Sequence, residues 1–210
     1  MNFSNLLTKK RTFKNWKNIS SSNDNIEFDG DDLLSRTDLT KLVKVPEGID
    51  ENEWIVTKLV LFFKEISMIH SSISAYCTPI SCPSMMAGPK YEYYWCDESI
   101  SKKPIKVTAQ EYVSHLKKWT MNFLQDPKII PNDEAADFAP NFRTLVKNVF
   151  KRWFRVYAHI YHSHFDTVED LKLKCHMNSS FRHYIKFCNE FSLIHDREFG
   201  PMTRLINEWA

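Results

Sequence analysis

Between Asn141 and Phe199 the chain has neither proline nor glycine. A stretch that long without a breaker is built to run as helices joined by tight turns, and its apolar spacing agrees. Phe142, Leu145, Val146, Val149, Trp153, Val156 and Ile160 recur at steps that place them on one side of a long amphipathic helix. A shorter helix is expected from a Thr167 cap through Cys175. Another is expected from Ser179 or Ser180, with Phe181, Tyr184, Ile185, Cys188 and Phe191 on one face. A last short helix begins near Pro201 and carries Leu205, Ile206 and Trp209. Upstream, Ile55, Leu59, Phe62, Ile66, Ile69 and Ile73 step by fours and threes, a second core helix. Thr108 with Glu111 three residues on reads as a capping box, followed by Tyr112, Val113, Leu116, Trp119 and Phe123 at helical spacing.

Residues 77–107 interrupt the period with Pro79, Pro83, Pro89, Pro104 and Gly88 around the aromatic run YEYYW (91–95). An irregular loop and a short β-hairpin, Lys90–Trp95 with Ile105–Val107, are expected there. The fold class is therefore all-α, a helical bundle with one irregular insertion. The first 45 residues are different. Residues 1–20 hold five basic residues and no acid, SSSNDN (20–25) is a polar break, and residues 26–53 hold nine acids against three bases. Their apolar residues are sparse, so 1–45 is expected to be a flexible arm and 46–210 the folded domain.

Composition closes off several function classes. The 210 residues are 43% hydrophobic and 14% aromatic, enough for a real core. Four glycines, scattered singly at 30, 48, 88 and 200, leave no Gly-rich phosphate loop. The longest apolar run, Leu59 to Phe63, is far short of a membrane span, and Lys9, Lys10 and Arg11 are not followed by a signal-type apolar segment. Five cysteines without a secretory context suit thiols in a reducing, cytoplasmic compartment. G-x-S-x-G, H-E-x-x-H and C-x-x-C are all missing, so no enzyme is expected.

Two constellations carry chemistry. Cys77 and Cys82 form C-x4-C in the insertion, while His159, His162 and His164 cluster at the far end of the long helix. Two thiolates with two imidazoles make a tetrahedral set suited to one structural zinc ion, Zn2+. Buried cysteines and a surface His cluster are the plainer alternative. Spacing leaves the histidine pair open: His159 and His162 share a helix face, whereas His159 and His164 require the helix to end between them. The second constellation is NFRTLVKNVFKRWFRVYAHI (141–160), with five bases and no acid. Arg143, Lys147, Lys151 and Arg155 step by four, with Arg152 alongside. A solvated face is the plain reading, and a phosphate-binding stripe the functional one. With a net charge of +2 and no reader motif, nucleic acid is not the expected partner.

Several long segments resemble the Mob (Mps one binder) kinase-activator family: CTPISCPSMMAGPKYEYYW (77–95), KKPIK (102–106), FKRWFRVYAHIYHSHFD (150–166) and SSFRHYIKF (179–187) with EFSLI (190–194), together with VPEG (45–48) and NEW (52–54). The resemblance runs from about residue 9 to the C-terminus. It implies a Mob-type fold, a left-handed four-helix bundle core with extra helices, a short β-hairpin and a structural zinc site. The implied zinc ligands are Cys77, Cys82, His159 and His164, with His162 a neighbour. It implies a non-enzymatic coactivator of NDR/LATS-type serine/threonine kinases that also docks phosphothreonine peptides of an upstream STE20-type kinase. The implied phosphopeptide residues are Lys151, Arg152 and Arg155.

The resemblance also implies an acidic kinase-binding face that meets a basic helical hairpin. Asp50, Glu53, Trp54 and His183 match it and Glu51 adjoins it; Ile49 and Leu61 stand where the family has acids. KRTFK (10–14) matches the segment around a regulatory phosphothreonine, giving Thr12, in an arm that the family uses as an inhibitory lock; the family's second regulatory threonine has no match, because Leu33 stands near it. The runner-up is a phocein-like scaffold subunit of a striatin/phosphatase assembly.

Overall fold

The structure is a computed structural model and describes residues 38–133 and 136–209. In chain order the elements are α1 (Leu39–Val43), α2 (Glu51–Ser72), β1 (Met85–Met86), β2 (Glu92–Tyr93), β3 (Trp95–Asp97), β4 (Ser101–Ile105), α3 (Ala109–Gln125), α4 (Phe142–Ser163), α5 (Phe165–Asp170), α6 (Lys174–Glu190), a 3-10 turn (Asp196–Met202) and α7 (Thr203–Glu208). Helices α2, α3, α4 and α6 form the core. α4 packs on α2 and α3, and α2 packs on α6.

Each long helix begins and ends for a local reason. Asp50 caps α2, its Oδ1 accepting from the N–H groups of Asn52 and Glu53. Thr108 and Glu111 close the capping box of α3 in both directions. α4 stops at Ser163, and His164 takes the C-cap position with φ −139°, out of the helical region. The break between 159 and 164 that the resemblance required is present, and α5 starts at once from His164.

Aromatic side chains fill the interior. Phe62 meets Phe150, Tyr184 and Phe187 with ring centroids 6.2, 5.1 and 5.6 Å apart. Trp153 is buried and donates its indole N–H to Thr120 Oγ1 at 3.0 Å. α1 belongs to this packed body: Val43 is fully buried, and its carbonyl accepts the Trp54 indole N–H at 2.9 Å.

The insertion differs in register from the expected hairpin. The aromatic run splits, so that β2 pairs antiparallel with β1 (Met85 opposite Tyr93) and β3 pairs antiparallel with β4 (Trp95 opposite Ile105). Two further boundaries are corrected. α6 begins at Lys174, because Lys172 adopts φ 59° and turns the chain there; Ser179 and Ser180 lie inside the helix. Thr167 lies inside α5 rather than capping it, because His164 already ends α4 and starts α5.

Candidate functional site

The 77–82 loop sits against the end of α4. Ile73 ends the last turn of α2, Cys77 N–H bonds to its carbonyl at 3.1 Å, and Cys82 N–H closes back on Thr78 at 2.8 Å. Ser81 Oγ accepts from Thr78 N–H, which stiffens the loop between the two thiols. Cys77 Sγ then lies 3.5 Å from His159 Nε2, and Cys82 Sγ 3.3 Å from His164 Nε2. All four ligand atoms fall within 4.8 Å of one another, and all four residues are buried. A tetrahedral ion bonded at about 2.3 Å to sulfur and about 2.0 Å to nitrogen holds S and N about 3.5 Å apart. The cluster fits that shape and can hold a metal ion.

The surroundings orient the ligands. His159 Nδ1–H donates to the Met86 carbonyl at 2.7 Å, which leaves Nε2 bare and aimed at the thiols. Burial lowers His159 to about 4, and burial with the neighbouring Cys82 pushes the Cys77 thiol up to about 12. The imidazoles are thus neutral ligands, and the Cys77 proton is one a metal must displace. His162 stands apart from the four. Its Nε2 is 2.8 Å from the Pro201 carbonyl, so it ties α4 to the 3-10 turn. Gly88 (φ +71°) lets the chain pass it, since a Cβ there would sit 3.2 Å from His162 Nδ1.

One turn and two turns back along α4, the basic stripe becomes a structured pocket. The Arg152 guanidinium lies between Trp95 and Trp119, 4.5 Å from each ring, and donates Nη2–H to the Cys96 carbonyl. Arg155 lies over Tyr93 at 4.8 Å and donates Nη1–H to the Tyr112 hydroxyl at 3.1 Å. Arg152 Nη1 and Arg155 Nε are buried without a hydrogen-bond partner among the described residues. Lys151 is half-buried beside them. An array of this kind can receive an anion with several oxygens.

The acidic residues take mixed positions. Asp50 is spent partly on the α2 cap, and Glu51 pairs with Arg143 of α4. Trp54 and His183 are buried and line a groove of about 560 Å³ between α1, α2 and α6. Leu61 is on its wall. Lys58 and Glu65, which sequence reasoning passed over, also face it. The signal was there, two charges inside a stripe of helical period, Trp54, Lys58, Leu61, Glu65 and Met68. The expected arm, 1–45, lies outside the described residues up to position 37, and Thr12 with it.

The sequence matches the Mob1/phocein family model over residues 31–202. This chain belongs to the Mob1/phocein family. It is 43% identical over 200 residues to the MOB kinase activator-like 1 homolog A of Dictyostelium discoideum, covering 94% of each chain. It is 41% identical over 174 residues to the maintenance of ploidy protein mob1 of Schizosaccharomyces pombe (83% of each). It is also 44% identical over 176 residues to the MOB kinase activator-like 1A of Arabidopsis thaliana, covering 84% of this chain and 82% of that one.

Proposed function

We propose that this family member is a non-catalytic adaptor and kinase activator. It binds the N-terminal regulatory segment of an NDR/LATS-type kinase and docks a phosphothreonine peptide of an upstream STE20-type kinase on Lys151, Arg152 and Arg155. The observation that carries the docking step is the pair of guanidiniums fixed on aromatic faces with buried N–H groups to spare. A phosphate dianion would satisfy those donors and gain charge-assisted hydrogen bonds in a partly dry pocket. The resident ion of the Cys2His2 cluster is zinc, since two thiolates and two imidazoles in a closed tetrahedron suit it. A closed set leaves no position for water, so its role is to hold the loop and helix together. Cys77 and Cys82 keep their thiolates for it in a reducing cytoplasm.

Activation in this reading is a population shift. The adaptor binds one ordered arrangement of the kinase segment and so favours the state that contains it. Asp50, Glu51, Glu53, Trp54 and His183 make the kinase face. Phosphorylation at Thr12 weakens the hold of the basic arm on that face. Calorimetry with two probes tests the proposal. Full-length protein should bind a phosphothreonine peptide and ignore its unphosphorylated form, and should bind the kinase segment at micromolar affinity, about −8 kcal/mol. The scaffold reading is favoured by Leu61, which puts an apolar side chain on the groove wall where the family has an acid. A folded, metal-loaded protein that leaves the kinase segment unbound would select that reading.

A further inference from the structure

Arg152 takes two of its holds from one short strand, β3. Its guanidinium lies on the Trp95 ring, and its Nη2–H reaches the carbonyl of the next residue, Cys96. Asp97 follows directly in sequence, and its two oxygens hold different things. Oδ1 accepts from Ser99 N–H at 2.6 Å, Ser99 Oγ–H at 2.7 Å and Ile100 N–H at 2.8 Å. This is an Asx turn, and it fixes the chain just past Cys96. Oδ2 accepts the Trp95 indole N–H at 2.7 Å, and among the described residues no other group takes that proton.

The strand is irregular at this spot. Trp95 pairs with Ile105 and Asp97 with Ser101, so the ladder slips at Cys96, the residue whose carbonyl accepts from Arg152. Trp95 is fully buried, with Tyr112 edge-on at 5.2 Å and His115 at 5.5 Å. Packing bounds the ring, and a buried indole N–H then needs an acceptor, whose place sets the ring's tilt. The charge of Asp97 argues the other way. Burial opposes that charge, but hydrogen bonds from Ser99, Ile100 and Trp95 outweigh burial and hold the carboxyl below its ordinary range. The carboxylate is near enough to Arg152 for their charges to interact, yet it makes no ion pair with it. A carboxylate beside a site for phosphate repels the ligand. By charge alone Asp97 is the wrong residue for this place; by geometry it is the one that sets Trp95.

We propose that Asp97 is a positioning residue for the phosphate site: its Oδ2 fixes the Trp95 indole, its Oδ1 fixes the chain beside the Cys96 carbonyl, and together they aim the Arg152 guanidinium. The inference rests on the phosphopeptide reading above and deepens it.

Asp97→Asn separates the two oxygens. Three donors face Oδ1 and one faces Oδ2, so the amide oxygen stays at the turn and the amide NH2 meets the indole N–H, donor against donor. The negative charge goes at the same time, so charge and positioning predict opposite signs. If charge decides, the variant binds phosphate more tightly; if positioning decides, more weakly. The assay is calorimetry of the full-length protein with a synthetic phosphothreonine peptide from a STE20-type kinase of the same organism. Asp97→Asn should weaken binding about fivefold or more. In NMR the Trp95 indole proton should exchange faster while the amides of α4 keep their protection, a pattern that general loosening does not give. In a Trp95→Phe background, which has no indole N–H, Asp97→Asn should cost no further affinity. Melting temperatures establish that each variant is folded. If Asp97→Asn does not fold, Asp97→Ser keeps an oxygen for the turn and leaves the indole without its acceptor, and the same results are expected. Unchanged or tighter binding by the folded variant overturns the proposal, and so does an equal loss in the Trp95→Phe background. A wild-type protein that ignores the peptide overturns the docking reading itself, and this inference with it.

Discussion

Stripping the metal should cost this chain a defined share of its stability. The cluster joins Cys77 to His159 and Cys82 to His164, in each case across 82 residues. A cross-link closing a loop of that length removes about 4.5 kcal/mol of chain entropy from the unfolded state. The second link adds little, because it closes almost the same loop. For a domain of this size each 1 kcal/mol moves the melting temperature by roughly 2–4 °C, so metal removal should lower it by roughly 9–18 °C. Loss of the ion also leaves two thiols and two neutral imidazoles facing one another inside the core, which cannot replace the bonds they lose. The assay is differential scanning calorimetry of one preparation, before and after prolonged chelation, with metal content measured on both samples. Cys82→Ser should reproduce the chelated melt without any chelator. A one-to-one metal that can be removed with less than about 2 °C of change would refute the cross-link reasoning. A purified protein with no metal would refute the site.

Three further outcomes follow from the geometry. Arg152→Lys should weaken phosphopeptide binding by about tenfold or more in calorimetry, although charge is kept, because an ammonium cannot fill the slot between Trp95 and Trp119 as a flat guanidinium does; an unchanged affinity would contradict this. Burial holds His70 and His183 near 3 in the folded chain, whereas unfolded histidine titrates near 6.5, so the unfolded state binds more protons between those values. Stability measured by urea should therefore fall as pH drops below about 6.5, and His183→Asn should flatten part of that slope. Gly88→Ala should destabilise by about 1 kcal/mol or more, since the position has φ +71° and a Cβ would press on His162; a melt equal to wild type would show the loop can yield.

Much of this architecture can be read from the residues because it rests on local signals. Thr108 and Glu111 are three apart, and the capping box they form needs nothing else. The apolar period of α2 and α4 is carried by each helix alone. The errors fall where the deciding contact is remote or the usual residue is missing. The aromatic run 91–95 signals a strand but cannot say that Tyr93 pairs with Met85 and Trp95 with Ile105. The start of α6 was hidden because Lys172, not glycine, takes the left-handed conformation at the turn before it. At the metal cluster, residue type was legible, and the resemblance chose His164 over His162. The fold explains that choice: α4 ends one residue before His164, and His162 turns to Pro201. Around Arg152, charge was legible along α4, while the clamps Trp95 and Trp119 come from β3 and α3 and leave no mark near the arginines.

Arg155 and His159 lie one turn apart on α4. One helix thus carries the clamped arginines on its shaft and two of the four Cys2His2 residues at its end. Under the proposed function the cluster is the clamp on a vice, and the jaw for phosphate is further down the same bar. Fraying the tip by one turn would free the Arg155 backbone from its helical bond to His159, so grip on a phosphate should track metal occupancy in a titration. It also sets a rule for transplantation. Moving the pocket onto another scaffold means moving the clamp with it, and anyone grafting only Lys151, Arg152 and Arg155 would carry the teeth without the bench.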